Sequence, residues 1–303
     1  MVKGLSARLR LAADDVLGAM LLGAFNAFRL VDRRVLASTF GGFMRGVGPW
    51  LREHRIGRAN LAAAFPEKSA AEIEAILRGA WDNFGRVAAE FAHLDRIKTY
   101  HSVVPGALDV DFDQATLERF DGLRLDDKPA LIFTGHIANW ELSAQVAASY
   151  KLDLNVLYRR EHVRAVAKAL IKIRAANMGS LIPVGFDAPI KLLHLLEAGG
   201  HVAIFVDQYH AQGVDVTFFG RRTKANPVLA RLARKIECPI HGARVIRLHN
   251  DRFRIEVTEA ITPARDKDGQ VDVQGTMQII TDVVERWVRE YPEQWNWLHR
   301  RWR

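Results

Sequence analysis

The residues best suited to chemistry in this chain lie in the stretch Pro129–Leu142, PALIFTGHIANWEL. Residues 130–133 are predicted to form a short buried strand, Gly135 lies in the turn that follows, and a helix begins soon afterwards. His136 and Glu141 flank this turn. An anionic Glu141 beside His136 would keep one imidazole nitrogen protonated and leave the other free to take a proton from an alcohol. The pattern therefore predicts general-base chemistry at His136.

A purely structural interpretation of the same stretch stays open. A strand, a glycine turn and a helix start occur throughout α/β domains, and a histidine near a glutamate is often an ordinary surface pair. The spacing of His136 and Glu141 alone does not choose between the two interpretations. The rest of the chain has to do so.

Composition limits the class of protein. The chain has 303 residues, 49% of them apolar, which is enough for a large core in one or two domains. Its formal charge of +8 favours acidic partners such as nucleic acid, anionic lipid or an acidic protein. No zinc-finger, Walker or aromatic RNA-binding signature is present, so we expect no nucleic-acid partner. The single Cys238 forms neither an internal disulfide nor a cysteine metal site, which is typical of a reducing compartment, and we expect no metal or cofactor.

The first 51 residues form an unusual segment. Apolar residues 16–28 are preceded by basic residues and followed by Arg29, Arg33 and Arg34, and a second apolar stretch ends at Leu51. Neither stretch reaches the roughly 20 apolar residues of a membrane-spanning helix. The pattern is typical of a helix that lies in the membrane surface, although an ordinary buried N-terminal helix is the alternative. We predict a membrane-associated helical segment over residues 1–51 and one catalytic domain over residues 52–303.

Several further motifs follow predicted strands. Tyr158-Arg159-Arg160 follows one strand and Asp207-Gln208 follows another, and open α/β sheets place ligands at such strand ends. A predicted helix then carries Arg164, Lys168 and Lys172 on one face. This basic stripe fits either a solvated surface or a phosphate-binding surface. Phe219-Gly220 introduces a predicted basic loop, and the chain closes with PEQWNWLHRRWR, which is either an interfacial cluster or a segment packed on the domain.

Six blocks occur in an order typical of one family: RANLAAAFP, GHIANWE, LYRR, VDQ, FFG and PEQWNWLHRRWR. From about Arg58 to the last residue, the chain resembles the lipid A late acyltransferases, which belong to the lysophospholipid acyltransferase superfamily. The resemblance implies an α/β fold with a mixed central sheet flanked by helices, similar to glycerol-phosphate acyltransferases. It also implies transfer of a fatty acyl chain from acyl carrier protein to a hydroxyl of a Kdo-bearing lipid A precursor, at the cytoplasmic face of the inner membrane.

The same resemblance assigns roles to individual residues. His136 and Glu141 match the catalytic dyad, and Arg159 matches an arginine that would bind the thioester oxygen or a phosphate. The residues that it places on the substrate side are Asn139, Trp140, Arg160, Arg164, Lys168, Asp207, Gln208, Phe219 and Gly220. Enterobacterial members generally carry proline in place of Arg160, and their strand-end block differs from DQY. These departures leave the acceptor and the acyl chain length open.

Three partners and several alternatives follow from this interpretation. Acyl carrier protein would donate the acyl chain, a lipid A precursor would accept it, and the membrane surface would hold the enzyme. The acyl chain would lie in an apolar groove lined by Trp140, Phe218 and Phe219. The alternatives are an acyltransferase acting on a glycerolipid, an ornithine lipid or a mannosylated inositol lipid, a thioesterase, and a non-enzymatic basic protein that binds membranes.

Overall fold

The computed structural model describes residues 16–18, 20, 23–99, 108–158, 174 and 178–303. Its main helices are α1 (Arg33–Val47), α2 (Arg52–Ala64), α3 (Ala70–Glu90), α4 (Gln114–Leu125), α5 (Glu141–Ser149), α6 (Ala188–Glu197), α7 (Val228–Lys235) and α8 (Val273–Glu290). Its strands are β1 (Val110–Asp111), β2 (Ala130–Thr134), β3 (Leu154–Tyr158), β4 (Ser180–Pro183), β5 (His201–Phe205), β6 (Val214–Phe218), β7 (Arg221–Ala225), β8 (Ile240–Arg247) and β9 (Phe253–Val257).

Seven of these strands form one mixed sheet with the order β1-β9-β8-β2-β5-β3-β4. The β8–β9 pair is antiparallel and the other neighbours run parallel, which confirms the expected α/β fold with a mixed central sheet. Strand β2 is the fourth of the seven. The carboxyl ends of β2, β5, β3 and β4 lie at one edge, which we name the carboxyl edge. His136 and Asp207 follow β2 and β5, so the topology brings them to this edge.

Local sequence signals account for the elements that form the centre of the fold. All five residues of β2 are buried, as expected for an apolar run between two parallel neighbours. Helix α3 begins with the expected capping box, in which Ser69 and Glu72 bond reciprocally to each other's backbone N–H groups. Helix α8 covers the expected residues 273–290 and buries Met277, Ile280, Val284 and Trp287 against the sheet side of the core.

The prediction of a basic loop after Phe219-Gly220 is wrong. Residues 221–225 form β7, which pairs antiparallel with β6 in a separate two-stranded sheet. Phe219 and Gly220 form the two-residue turn with φ of 53° and 68°, the positive values that tight hairpin turns require. Phenylalanine rarely occupies such a conformation, so the sequence carried no ordinary turn signal. The short edge strand β4 was also not expected from the sequence.

Helix α1, which falls within the predicted N-terminal segment, packs directly on α3. It buries Leu36, Ala37 and Gly41, and Arg33 forms an ion pair of 2.7 Å with Asp109. No helix in the described part of the chain combines the length and apolarity needed to cross a membrane. Membrane association of residues 1–51 and the division at residue 51 therefore stay predictions, and residues 1–15 lie outside the described residues.

Candidate active site

The His136 imidazole bonds to the carboxylate of Asp207 at the carboxyl edge. The distance between His136 Nδ1 and Asp207 Oδ1 is 2.8 Å, and the backbone N–H of His136 donates to Asp207 Oδ2 at 2.7 Å. Trp295 Nε1 also donates to Oδ2, at 2.9 Å. The Asp207 side chain is fully buried, whereas the His136 side chain is 18% exposed. One carboxylate thus determines both the backbone position and the ring orientation of His136.

The charge on Asp207 determines which imidazole nitrogen carries the proton. Burial would raise the pKa of the Asp207 carboxyl, but attraction to the His136 ring and the hydrogen bonds from His136 outweigh it, so the pKa lies well below 3.8. An ionised carboxylate only accepts hydrogen bonds, so Nδ1 of His136 must be the protonated nitrogen. Nε2 of the neutral ring is then the acceptor. This is the arrangement of a histidine general base oriented by a buried aspartate.

The loop that carries His136 is bonded along its length to the segment that follows α8. Ile137 forms a β-bridge with Trp295, and the N–H of Ala138 donates to the carbonyl of Gln294 at 2.9 Å. The N–H of Asn296 donates to the carbonyl of His136 at 3.1 Å. Ala138 has φ of 47°, a strained value for a residue with a side chain. These bonds hold the loop in that conformation, so the closing PEQWNW block fixes the backbone conformation of the loop.

A buried polar network supports the loop from the side of α3. Asn139 is fully buried and donates through Nδ2 to Glu90 Oε2 at 2.9 Å. The Glu90 carboxylate also pairs with Arg247 at the end of β8. Asn83 accepts from Arg247 Nε at 3.1 Å and donates to the carbonyls of Ala138 and Gln294. Asn139, expected on the substrate side, therefore positions the loop.

Glu141 does not bond to His136. It is the first residue of α5, it is buried, and both of its oxygens accept hydrogen bonds from Arg174. The hypothesis that Glu141 orients His136 is corrected in this respect, because Asp207 occupies the nitrogen that Glu141 was expected to bond. The two carboxylates therefore have different partners, an imidazole for Asp207 and a guanidinium for Glu141. A catalytic contribution of Glu141 stays a prediction.

An apolar cavity lies between the sheet and helices α4 and α5, close to the His136 loop. Trp140 and Phe205 line it, and both contact the imidazole, with ring centroids 5.2 and 4.5 Å from that of His136. The lining is otherwise apolar apart from Thr134 and Ser143. An apolar lining of this kind suits a hydrocarbon chain, and two of its side chains also contact the imidazole.

The residues predicted on the substrate side occupy different places in the structure. Trp140 lines the cavity, whereas Phe218 and Phe219 do not; they pack on Trp295, Trp297 and Trp302. Gly220 is the exposed second residue of the hairpin turn, and Gln208 is exposed at the end of β5. Arg159, Arg160, Arg164, Lys168 and Lys172 lie outside the described residues. The closing segment is packed on the domain, with Trp295, Trp297 and Arg301 buried.

Several residues of the site were missed from the sequence. Asp207 was assigned to the substrate side, although its position after a buried strand could have suggested a partner for His136. Arg174, Glu90 and Arg247 carried no local signal, because their partners lie 33 or more residues away. Asn60, within the RANLAAAFP block, donates to the carbonyls of Trp297 and His299, so this block packs against the closing segment.

Two other groups bear on the chemistry of the site. Burial raises the pKa of the Cys238 thiol to about 11, which disfavours the thiolate that a covalent acyl-cysteine route would need. Within the described ranges, no group of three or more His, Cys, Asp or Glu side chains is arranged to hold a metal ion.

Comparison with protein families identifies the chain. The family of bacterial lipid A biosynthesis acyltransferases matches residues 10–303. The chain belongs to this family. A comparison with curated proteins finds no match. The family match spans the loop of His136, the Asp207 strand end and the closing tryptophan segment, so the described site lies wholly within the acyltransferase region.

An acyltransferase of lipid A biosynthesis has two structural needs that this site can be judged against. Transfer of an acyl group to an alcohol requires a base for the hydroxyl proton, and a fatty chain requires apolar space. The His136–Asp207 pair has the geometry that the first need requires, and the cavity behind Trp140 and Phe205 has the apolar lining that the second requires.

Proposed function

We propose that this acyltransferase moves a fatty acyl chain from acyl carrier protein to a hydroxyl of a Kdo-bearing lipid A precursor, at the cytoplasmic face of the inner membrane. The observation that carries the proposal is the His136–Asp207 pair beside an apolar cavity. It joins a base of defined tautomer to a space for a hydrocarbon chain, within a chain that belongs to the lipid A acyltransferase family.

The reaction in this proposal is a direct transfer. Nε2 of His136 accepts the proton of the acceptor hydroxyl as its oxygen attacks the thioester carbonyl carbon. The tetrahedral intermediate collapses, the carbon–sulfur bond breaks, and the imidazolium returns its proton to the departing thiolate. Asp207 stays ionised throughout and stabilises the imidazolium that forms in between. No acyl-enzyme intermediate is required.

Glu141 has a different part in this proposal from the one that its spacing suggested. Its carboxylate holds Arg174 beside the first turn of α5. A cation in that position would favour the negative charge that develops on the thioester oxygen. Loss of Glu141 would then act through Arg174 and not through the proton acceptor.

The acyl chain would occupy the cavity lined by Trp140 and Phe205. The positive charge of the protein has a matching role, because acyl carrier protein is acidic and the acceptor carries phosphates and carboxylates. The stripe of Arg164, Lys168 and Lys172 is the predicted docking surface for the carrier protein, and reversing its charge should raise the apparent KM for that donor.

The test is incubation of the purified protein with defined acyl carrier protein thioesters and a panel of lipid acceptors, followed by mass spectrometry of the lipids. His136→Ala should lower turnover by about 10²- to 10⁴-fold, the usual contribution of a positioned base. His194→Ala, which removes an exposed histidine of α6, is the matched control and should have no effect.

Each other outcome of that assay points to a different function. Near-normal turnover by His136→Ala would refute the proposed base. Release of free fatty acid without an acylated lipid would indicate a thioesterase, and acylation of a glycerolipid, ornithine lipid or mannosylated inositol lipid would change the acceptor. Lipid binding with no transfer from any donor would support a non-enzymatic protein.

A further inference from the structure

Exposed apolar side chains are concentrated at one end of the sheet. From residue 30 onward in the described part of the chain, the exposed large apolar residues are Leu30, Val31, Val35, Phe43, Trp50, Leu51, Phe84, Leu125, Val184, Phe186 and Ile190. The opposite end of the sheet, where β2, β5, β3 and β4 begin, we name the amino edge. Only Leu125 lies there, because α4 leads into the start of β2. The others lie at the carboxyl edge or on helices that pack over it. The edge that carries His136 is therefore the apolar one.

These residues form two groups on either side of His136. The N-terminal group, Leu30 to Leu51 with Phe84, lies on α1, its flanks and α3. Arg33 of α1 bonds to Asp109 just before β1, and α3 bonds to the His136 loop through Asn83. The second group, Val184, Phe186 and Ile190, follows β4, and we name it the 184–190 tip. Strand β4 lies at the opposite end of the sheet from β1, three strands or about 14 Å from β2.

The 184–190 tip has a defined position, and its outermost residue is exposed in the described part of the chain. The N–H of Val184 donates to the carbonyl of Tyr158 at 2.8 Å, which ties the tip to the end of β3. Phe186 is fully exposed at 102%, and Val184 and Ile190 are more than half exposed. A single exposed apolar residue is ordinary, but three within seven residues beside an active site indicate a surface that meets an apolar partner.

The charges beside the N-terminal group favour a bilayer as that partner. Exposed arginines accompany this group at the carboxyl edge, at Arg34, Arg45, Arg52 and Arg55, and they outnumber its exposed acidic residues Asp32 and Glu53. At the amino edge, the exposed acidic residues Asp126, Asp127, Asp153, Glu197 and Glu237 are nearly balanced by exposed Lys128, Lys151, Arg234 and Lys235. Anionic headgroups therefore attract the arginines of the N-terminal group more than they attract the amino edge. Charge and apolar exposure therefore orient the same edge toward an anionic membrane surface.

We propose that the 184–190 tip dips into the interfacial layer of an anionic bilayer and forms a second membrane contact, across the active site from the N-terminal group. The inference rests on the proposed function only in taking the acceptor to be a membrane lipid. With contacts on both sides of β2, the bilayer surface lies against the mouth of the site. A lipid acceptor then reaches His136 without leaving the membrane completely.

The test replaces all three apolar residues of the tip in Val184→Ser/Phe186→Ser/Ile190→Ser and measures flotation with vesicles of phosphatidylcholine and phosphatidylglycerol. The variant should lose about tenfold or more in vesicle partitioning, since each apolar side chain removed from the interface forfeits its burial. Leu125→Ser is the matched control, because it removes an exposed apolar residue from the amino edge, and it should float like the unaltered protein. Melting temperatures of both variants verify folding.

The kinetic counterpart separates a membrane contact from other docking surfaces. The triple variant should raise the apparent KM for a vesicle-embedded lipid acceptor by about tenfold and leave the KM for the acyl donor unchanged, in line with its partitioning loss. Unchanged flotation would overturn the inference. With flotation unchanged, a raised donor KM would assign the tip to the carrier protein, and loss of a sedimenting dimer would assign it to a second copy of the chain.

The flotation result does not depend on catalysis. His136→Ala should bind vesicles like the unaltered protein, because only 18% of the His136 side chain is exposed. If no donor and acceptor pair supports acyl transfer but the triple variant floats poorly, the proposed function fails and the membrane contact stands. If transfer proceeds and the triple variant floats normally, only the contact at the tip fails.

Discussion

The two sides of the His136 loop differ in the contacts they make, which are hydrogen bonds on one side and apolar contacts on the other. On one side, Asp207, Gln294 and Asn83 bond directionally to the loop. On the other side, Trp140 and Phe205 contact the imidazole and also line an almost wholly apolar cavity. Hydrogen bonds specify distance and direction, whereas apolar contacts specify mainly volume. The base is thus held in one position, and the space beside it can receive chains whose shape varies.

The difference also predicts how each side responds to change. A buried donor or acceptor that loses its partner costs its desolvation energy, and a buried charge that loses its partner costs more. An apolar lining residue can be replaced by another of similar volume at smaller cost. Substitutions on the polar side should therefore affect turnover or folding steeply, while those on the apolar side should affect which chain is used.

The strongest test of the polar side is Asp207→Asn. The amide has nearly the same shape, but its N–H can donate to Nδ1 of His136 and so favour the tautomer with Nε2 protonated. We expect turnover to fall by about 10²- to 10⁴-fold, as for loss of a general base. Steady-state kinetics measure the effect, and the exposed Asp215→Asn on β6 is the control. Near-normal turnover would show that His136 does not need Asp207.

The next effect concerns stability. Glu90→Ala leaves the guanidinium of Arg247 partly buried without its carboxylate, which should cost about 3–5 kcal/mol of unfolding free energy. The control is Glu259→Ala, which breaks an ion pair between Arg119 and an 85% exposed glutamate and should cost less than about 1 kcal/mol. Urea unfolding compares them. Similar losses for both would mean that the buried Glu90–Arg247 pair contributes no more to stability than an exposed ion pair.

A pH effect on stability is expected from His299, which lies in the closing segment PEQWNWLHRRWR. Burial lowers the pKa of His299 to about 4, from 6.5 in the unfolded chain. The folded state therefore binds fewer protons in this window, so stability should be complete above about pH 6.5 and fall by about 3 kcal/mol as the pH drops toward 4. His299→Gln should weaken this dependence, whereas the exposed His210→Gln should leave it unchanged. Equal slopes in all three proteins would contradict the assignment.

The smallest effect is expected on the apolar side. Ala203 of β5 lies between Ile132 and Val156 on neighbouring strands, and all three line the cavity. Ala203→Leu should fill this space and lower kcat/KM for long acyl chains by about tenfold, with little change for short ones, because each methylene contributes about 0.8 kcal/mol when buried. The exposed Ala198→Leu is the control. A uniform loss for all chain lengths would place the chain elsewhere.

Much of the fold could be predicted because its central elements carry local signals. The apolar runs of β2 and β5, the capping box of α3 and the periodicity of α8 each lie within a few residues. Strand β7 could not be found in this way, because it depends on a partner strand and on a phenylalanine in a positive-φ turn. Pairing between strands is decided by packing as much as by propensity.

For the candidate site, the sequence by itself determined that His136 follows a buried strand, that Asp207 ends another, and that the chain resembles the lipid A late acyltransferases. Only the tertiary structure decided that Asp207, 71 residues away, bonds to His136 while the nearby Glu141 bonds to Arg174. Spacing along a chain limits which side chains can meet locally. Asp207 reaches the imidazole because β2 and β5 are neighbours in the sheet and because the tryptophan segment packs behind the loop. Neither feature is encoded within any short stretch of sequence.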